Sequence, residues 1–588
     1  MNAANAGTHR RSRRRGRPWR VAAAVIGLIV VAWIVACAVT LLLADHRLQA
    51  GVGQAQVVRD GLTTTQLRSG ADQTEVVAAA ADFSDAHRLL TEGWMAPLRH
   101  VPVADRQLAS ATDLAQAAYT VTDAGRQALP DVRTLLSRPD RSPTAREAVI
   151  VQLARVVGAA HDKVAGVTLG PSRGLIPVLA GKRDLFARDL TKLQSGLTRA
   201  DGASAALADL LTGSRTYLVF SANNAEMRSG SGMFLAAGTL TTHDGALVLG
   251  RFTPTSDLTL PDPSVPLSGD LATLWGHERP NQDFRNLALS PQFPANAALA
   301  ARMWQARTGT HVDGVLAVDT AFLSAVLSAT GPVTAGGVTV GSADVERYIL
   351  HDQYAGVSGD QPGQAARHDR QGDLAAATFG ALSSGHPDLS GLASDLDGAA
   401  NGRHVLAWAA TPATEADWQA AGVGGALGPD DVLLAVLNQG GNKLDPFMSV
   451  HATMNFRVAG ADTDGTVAVT VMNGAPPNQP PYVAGDAGNP PAPDTYIGAV
   501  SLDIPGRSGR ERVDGPMPLE AEGRDGPSFA MAAPIQLAAG RAVAMTFHFA
   551  LAGTSGTLRI DPSARIGATS WTIGGRRFSD ATAQTVAY

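Results

Sequence analysis

TYLVFSANNAEMRSGSGMFLAAGTLTTHDGALVLGRF, residues 216–252, is where the chain changes texture. TYLVFS, MFLAAGTLT and ALVLGRF are short runs rich in β-branched and aromatic residues, the pattern of half-buried or fully buried strands. His243-Asp244-Gly245 separates the last two, and Asp-Gly accepts the positive φ angles of a tight hairpin turn. The stretch therefore predicts a strand, a polar loop ANNAEMRSGSG and a hairpin. Downstream, the helical pattern NAALAARMWQARTG, the strand GVLAVD, the helix TAFLSAVLSATG and the short strand GVTV alternate, which predicts a layered α/β domain with a mixed sheet. HVLAWAA and VLLAVLN are expected to complete that sheet near position 438.

Upstream the texture is different. Residues 46–212 are Ala-rich and helically periodic: Leu108, Ala111, Leu114, Ala118 and Val121 recur at three- and four-residue steps, as do Ile150, Leu153, Val157, Ala160 and Val164. Ser142-Pro143 reads as a helix cap followed by a first-turn proline. Further helices are expected through Phe186, Leu190, Leu193 and Leu197, and through Leu207 to Leu211, ending at Gly213. Beyond Asp445 the alternation of SVHATMNFRVAG, GTVAVTVMNG, YIGAVSLDIP, RAVAMTFHFAL and GTLRIDP predicts an antiparallel β-sandwich. The fold class is α+β multidomain: tail 1–20, transmembrane helix 21–43, helical stalk or bundle 44–213, α/β domain 214–445 and β-sandwich 446–588.

Residues 21–43, VAAAVIGLIVVAWIVACAVTLLL, contain no charge and match the roughly 20 residues a helix needs to cross the hydrocarbon core. The run is longer than a signal-peptide apolar region and lacks its cleavage pattern. Arg10, Arg11, Arg13, Arg14, Arg15, Arg17 and Arg20 precede it without an acidic residue among them, which places the N-terminus in the cytoplasm and the bulk outside, on a single-pass plasma-membrane anchor. The lipid bilayer is the first expected partner. Those arginines carry +7 of a formal net charge of −5, so everything after position 20 carries −12, the wrong sign for a phosphate-backbone binder. Nucleic acid is excluded as a partner. The single cysteine, Cys37, lies inside the apolar run, so the exported part must be held by packing without disulfides.

Few motifs survive inspection. Gly170-Pro171-Ser172-Arg173-Gly174 fits G-x-S-x-G, but it joins two helical segments instead of a strand and a helix. Gly440-Gly441-Asn442-Lys443 lacks the Gly-Lys-Ser/Thr ending of a phosphate loop and reads as a turn. No His pair has H-E-x-x-H spacing, and one Cys excludes thiolate zinc sites; His277-Glu278 and His351-Asp352 read as surface pairs. The loop Asn223-Asn224-Ala225-Glu226-Met227-Arg228-Ser229-Gly230-Ser231-Gly232 stands out. Amides and backbone N–H groups beside an Arg fork can seat a diphosphate; equally, Asn and Gly can shape a turn while Arg228 pairs with Glu226 or Asp257.

NNAEMRSGSGMFLAAGTLTTHDGAL resembles the signature of the bacterial family catalogued as domain of unknown function 4012, whose members read NNAELRPTGGFIGSYG there. FRNLALSPQFP, GVLAVDTAFLSAVLSATGPV, RHVLAWAA, VLNQGGNKLDPFM and MNGAPPNQPPYV resemble its later blocks, so the likeness covers about positions 90 to 505. The order of strand, Arg loop, strand, turn, strand, then GVLAVD, helix and T-G-P-V is also similar to the LytR-CpsA-Psr family, phosphotransferases that move polyprenyl-diphosphate-linked glycopolymers onto peptidoglycan. That resemblance implies a diphosphate held at the position of Arg228, with Asn223 and Asn224 beside it, magnesium as cofactor with Asp257 as its candidate ligand, and an apolar cleft for the lipid tail. Two departures stand out: Arg228 is followed by Ser229-Gly230-Ser231 in place of Ser/Thr-Asp-Thr, and Pro254-Thr255-Ser256-Asp257 keeps the Asp of the family's Pro-Arg-Asp but lacks its Arg. Arg251 and Arg285 are the candidate substitutes. The competing expectation is a non-catalytic envelope scaffold or adhesin-like wall protein, because a fold persists without its chemistry.

Overall fold

The structure, a computed structural model, describes residues 17–61, 71–138, 140, 142–261, 265–354, 361–384, 389–477, 479–485 and 492–588. Most of the Arg-rich tail and residues 262–264 of the Pro-rich loop lie outside the described residues. The chain divides into two compact units, Met1–Thr134 with Gly158–Leu197, and Leu135–Val157 with Thr198–Tyr588.

The first unit is helical. Helix α1 (Arg17–Gly61) runs unbroken through the apolar segment and contains, among the described residues, the one helix stretch long and apolar enough to cross a membrane, Leu28–Gln56. Helix α2 (Ala71–Thr91) packs back along it: Arg47 donates to Asp82 at 2.7 Å, and the Phe83 ring fills the space beside Gly51, where a Cβ would lie 2.8 Å from it. A 3-10 segment, Gly93–His100, turns the chain into α3 (Pro102–Leu136). Helix α4 (Pro143–Ala165), which belongs to the second unit through Val157, starts where Ser142-Pro143 predicts, the Ser142 hydroxyl accepting from Ala145 N at 3.4 Å. The two helices expected beyond Phe186 are one, α5 (Pro177–Leu211), running through Gly196 and Gly202. Gly202 is there for close approach, since a Cβ would lie 2.6 Å from the Asp417 carbonyl. Gly213, at φ +67, then ends the helical region.

In the second unit β1 (Ser214–Met227), β2 (Gly232–His243), β3 (Ala246–Leu249), β5 (Gly314–Val318) and β8 (Val405–Ala409) form a sheet in the order β3-β2-β1-β5-β8, with β4 (Thr253–Pro254) on β2. β1 and β5 are parallel and the other pairs antiparallel, so the sheet is mixed. Asp244 and Gly245 have φ +45 and +78, the turn that Asp-Gly predicts. Tyr217 and Val219 pack on one face with Leu210 and Leu240; Leu218, Phe220 and Ala222 pack on the other with Phe234, Trp275 and Phe284. Around the sheet lie α6 (Gly269–Trp275), α7 (Phe293–Thr308), α8 (Thr320–Thr330), α9 (Ser342–Leu350), α10 (Gln361–Ser384), α11 (Leu389–Asn401) and α12 (Pro412–Ala420), with a small hairpin, β6 (Val333–Ala335) and β7 (Val338–Val340).

The remainder is two six-stranded sheets. One runs β14 (Ala521–Asp525), β15 (Ser528–Leu537), β12 (Tyr496–Pro505), β9 (Asp431–Asn438), β17 (Thr557–Asp561), β20 (Gln584–Ala587); the other runs β13 (Gly509–Asp514), β16 (Ala542–Ala552), β11 (Asp462–Asn473), β10 (Met448–Ala459), β18 (Ser570–Ile573), β19 (Arg576–Ser579). Two expectations are corrected. VLLAVLN does not complete the α/β sheet; β9 pairs with β12 and β17. The strand is apolar at every position because both its faces are buried: Val432, Leu434 and Val436 join the core between the two sheets, while Leu433, Ala435 and Leu437 join the α/β core. Nor is the pairing wholly antiparallel, since β9–β17 and β10–β18 are parallel.

Candidate functional site

The expected loop is mostly strand. β1 continues through Asn223–Met227 past two register shifts, and the turn is the short segment Arg228–Ser231, closed by Arg228 N donating to Ser231 O at 2.8 Å. Asn223, Asn224, Glu226, Arg228, Ser229 and Ser231 are all buried. The glycines permit close backbone approach: a Cβ at Gly232 would lie 2.5 Å from the Asn223 carbonyl, and one at Gly230 3.0 Å from that of Ser290.

Arg228 points inward. Its guanidinium donates to the Arg285 carbonyl at 3.2 Å, to the Asn438 carbonyl at the end of β9, and to Asn286 Oδ1 at 3.4 Å. Burial pulls its pKa down, opposed by Glu226, Tyr496, Asp445 and Glu278. Glu226 pairs with Lys443, both buried, and Asn223 Nδ2 donates to the same carboxylate at 3.3 Å. Burial opposes the Lys443 charge, but Glu226, Tyr354 and Tyr482 outweigh it, and Nζ also lies 5.1 Å from the Tyr482 ring centroid.

Next to this pair Asp445 is ringed by donors: Arg565 Nη1 at 3.0 Å, Asn438 Nδ2 at 2.9 Å, Tyr496 OH at 3.1 Å and Met227 N at 3.1 Å. Burial still leaves its pKa raised, against Arg565 and the other donors. On the other side of β1, Asn224 Nδ2 donates to Asp319 Oδ2 at 2.8 Å and to the Ala564 carbonyl at 2.9 Å. Asp319 caps α8 through Ala321 N and Phe322 N and meets His404 Nδ1 at 2.7 Å. Burial lowers the His404 pKa, but Asp319 and Glu346 bring the net shift upward.

The six candidate residues are thus separated in character. Asn223, Asn224 and Arg228 share one buried hydrogen-bonded region, and Arg285 reaches it through its carbonyl while its side chain forks onto Asp283 at 2.9 and 3.0 Å. Arg251 and Asp257 are exposed, and Asp257 accepts from Ser256 while its carbonyl takes Arg307. Among the described residues Arg228 has no hydrogen bond to Glu226 or Asp257, and no group of three or more His, Cys, Asp or Glu side chains is placed to hold a metal ion. Asp445, Arg565, Asp319 and His404 belong to the region without a motif that marks them in the sequence, and Lys443 reads there only as part of a turn. The turn-like Gly-Gly-Asn-Lys segment was the one available signal, because a lysine beside glycines had to be either solvated or paired.

The G-x-S-x-G segment is a helix-to-helix turn, with Gly174 at φ +81 and Leu175 N donating to Ser172 O at 3.2 Å. It adjoins a recess of about 460 Å³ in the first unit, lined by Arg99, His100, Asp105, Arg106, Ser110 and Asp113.

Residues 212–354, from the end of α5 to just beyond α9, match the model of the family described as "Protein of unknown function (DUF4012)". The match is narrower than the run of resembling blocks and attaches no activity. No curated protein matches the chain.

Proposed function

We propose that this is a single-pass, membrane-anchored extracytoplasmic envelope protein that acts as a non-catalytic scaffold. The apolar helix and the seven arginines before it support the anchor and its orientation, N-terminus in the cytoplasm. The two six-stranded sheets read as a β-sandwich fused to the α/β layer. One observation carries the scaffold reading: the Asn223–Ser231 segment, where a ligand would be gripped, is buried, and its charged groups already have protein partners. Arg228 donates to the Arg285 and Asn438 carbonyls, Lys443 pairs with Glu226, and Arg565 donates to Asp445. A diphosphate would have to displace bonds that tie the α/β sheet to β9.

The competing reading is a LytR-CpsA-Psr-like protein that binds or transfers a polyprenyl-diphosphate-linked glycan to peptidoglycan, with magnesium. It requires Arg228 to be free for ligand. Arg228→Ala separates the two. The scaffold reading expects buried carbonyls left without donors and a stability loss on the order of 3 kcal/mol, with no saturable binding of a polyprenyl-diphosphate analogue by the unaltered protein, with or without magnesium. An unchanged melt in Arg228→Ala, together with analogue binding that the substitution abolishes, would overturn it.

A further inference from the structure

The apolar segment of α1 is not left bare by the helices that follow it. Trp33 Nε1 donates to the Trp94 carbonyl at 2.8 Å, and Trp33 and Cys37 pack with Leu90, Met95 and Leu98. Roughly two to three turns beyond Cys37, Ala44 and Leu48 belong to the same apolar cluster, together with Leu108, Ala111 and Ala115. The turn between α2 and α3 therefore sits alongside Trp33, ten residues before the uncharged run ends at Leu43. At 1.5 Å per residue that is roughly 15 Å along the helix.

This position conflicts with a helical bundle standing clear of the bilayer. If everything from Trp33 onward lay in water, the span would shrink to about a dozen residues, or roughly 18 Å, against a hydrocarbon core of about 30 Å. The face of α1 turned away from the bundle also argues for lipid, since Ile34, Val35, Leu42 and Leu43 are more than half exposed there. The turn itself has an apolar surface: Trp94, Val101 and Val103 are exposed. So are Ile176 and Val178 at the start of α5, held at the same end by Gln107, which bonds Gly174 O and Ile176 N at 2.9 and 3.0 Å. Lys182, one turn beyond Val178, pairs with Asp45 at 2.8 Å, so charge appears on both helices just past the apolar run. The charged residues at the tip are Glu92, Arg99, His100, Asp105, Arg106 and Arg173; Arg99, His100, Asp105 and Arg106 line the 460 Å³ recess, and the arginines can reach headgroup depth along their own apolar stems.

We propose that the membrane-proximal tip of the bundle, residues 93–103 and 174–178, is embedded in the outer leaflet beside its own transmembrane helix. The occupant of this apolar surface is lipid, by continuity with the span. The inference rests on the anchor reading above, and its test separates the two. Full-length protein carrying Cys37→Ala is reconstituted in phosphatidylcholine–phosphatidylglycerol nanodiscs with one cysteine at a time, Val103→Cys, Val178→Cys, Ile34→Cys or Val77→Cys, all exposed positions, and each is spin-labelled. Collision with oxygen, which concentrates in acyl chains, is compared with collision with a water-soluble nickel complex. Positions 103 and 178 are expected to lose nickel collisions down to the level of position 34, with position 77 on α2 fully accessible to nickel. Positions 103 and 178 behaving like 77 while 34 reads as lipid would overturn the embedded tip and leave the anchor standing. Position 34 reading as aqueous would overturn both.

Discussion

Removing Arg565 is expected to be among the most damaging single changes in the β region, and the reason is the carboxylate it leaves behind. The Asp445 and Arg565 side chains are each about 1% exposed and meet at 3.0 Å. Arg565 also donates to the Asp445 and Met448 carbonyls at 3.2 Å. Arg565→Met keeps most of the volume but strips a charge-assisted bond and the donors to two backbone carbonyls and strands Asp445 away from water, a change that costs roughly 3–5 kcal/mol. Replacing both residues, Asp445→Asn with Arg565→Met, removes the buried charge as well, and the cycle is expected to show a coupling of about 2 kcal/mol or more in favour of the double variant. The deficit also has a pH signature. Burial raises the Asp445 pKa and Arg565 opposes that rise, so loss of Arg565 raises it further. A carboxyl with a raised folded pKa contributes stability that is complete below its unfolded value and is lost as pH rises through the folded value. The single variant should therefore lag the unaltered protein more at pH 8 than at pH 5, measured as guanidinium unfolding followed by far-UV circular dichroism. An equal deficit at both pH values, or a double variant as unstable as the two single losses summed, would refute the argument.

Two further outcomes follow from the same packing. Asp431 is pushed up to about 7 by burial and by the neighbouring Asp561, so its charge works against folding as pH rises from the unfolded value toward 7; Asp431→Asn should stabilise, more at pH 8 than at pH 5, and a denaturant midpoint that gains no more at pH 8 would contradict this. At Gly498 a Cβ would lie 1.8 Å from the Leu437 carbonyl across the β12–β9 pair, so Gly498→Ala must move backbone; a melt within a degree of the unaltered protein would show that the strands are less tightly apposed than described.

Much of the architecture was legible because it is local. An uncharged run of 23 residues, a Ser-Pro helix start at position 142 and an Asp-Gly turn at 244 each act through neighbours in the chain, and each appears where those residues stand. Where a second effect competed, the local reading failed: the two helices expected through residues 186–197 and 207–211 are one, within which Gly202 supplies clearance for Asp417. An unbroken apolar run such as VLLAVLN says that both faces of a strand are covered, and nothing in it says which sheet supplies the neighbours.

The residues around Arg228 show the same division. By itself the sequence determined that amides, an arginine and glycines would cluster where two strands meet, because period-two patterning flanks them on both sides. Whether that cluster faces ligand or protein was decided by contacts from far along the chain: Asn438 and Lys443 to the first strand's end, Arg565 to Asp445, Ala564 to Asn224. A buried charge needs a partner within a few ångströms, and its sequence distance is irrelevant to the energy. Patterning specifies which side chains turn inward; the packing of whole sheets against one another decides what they meet.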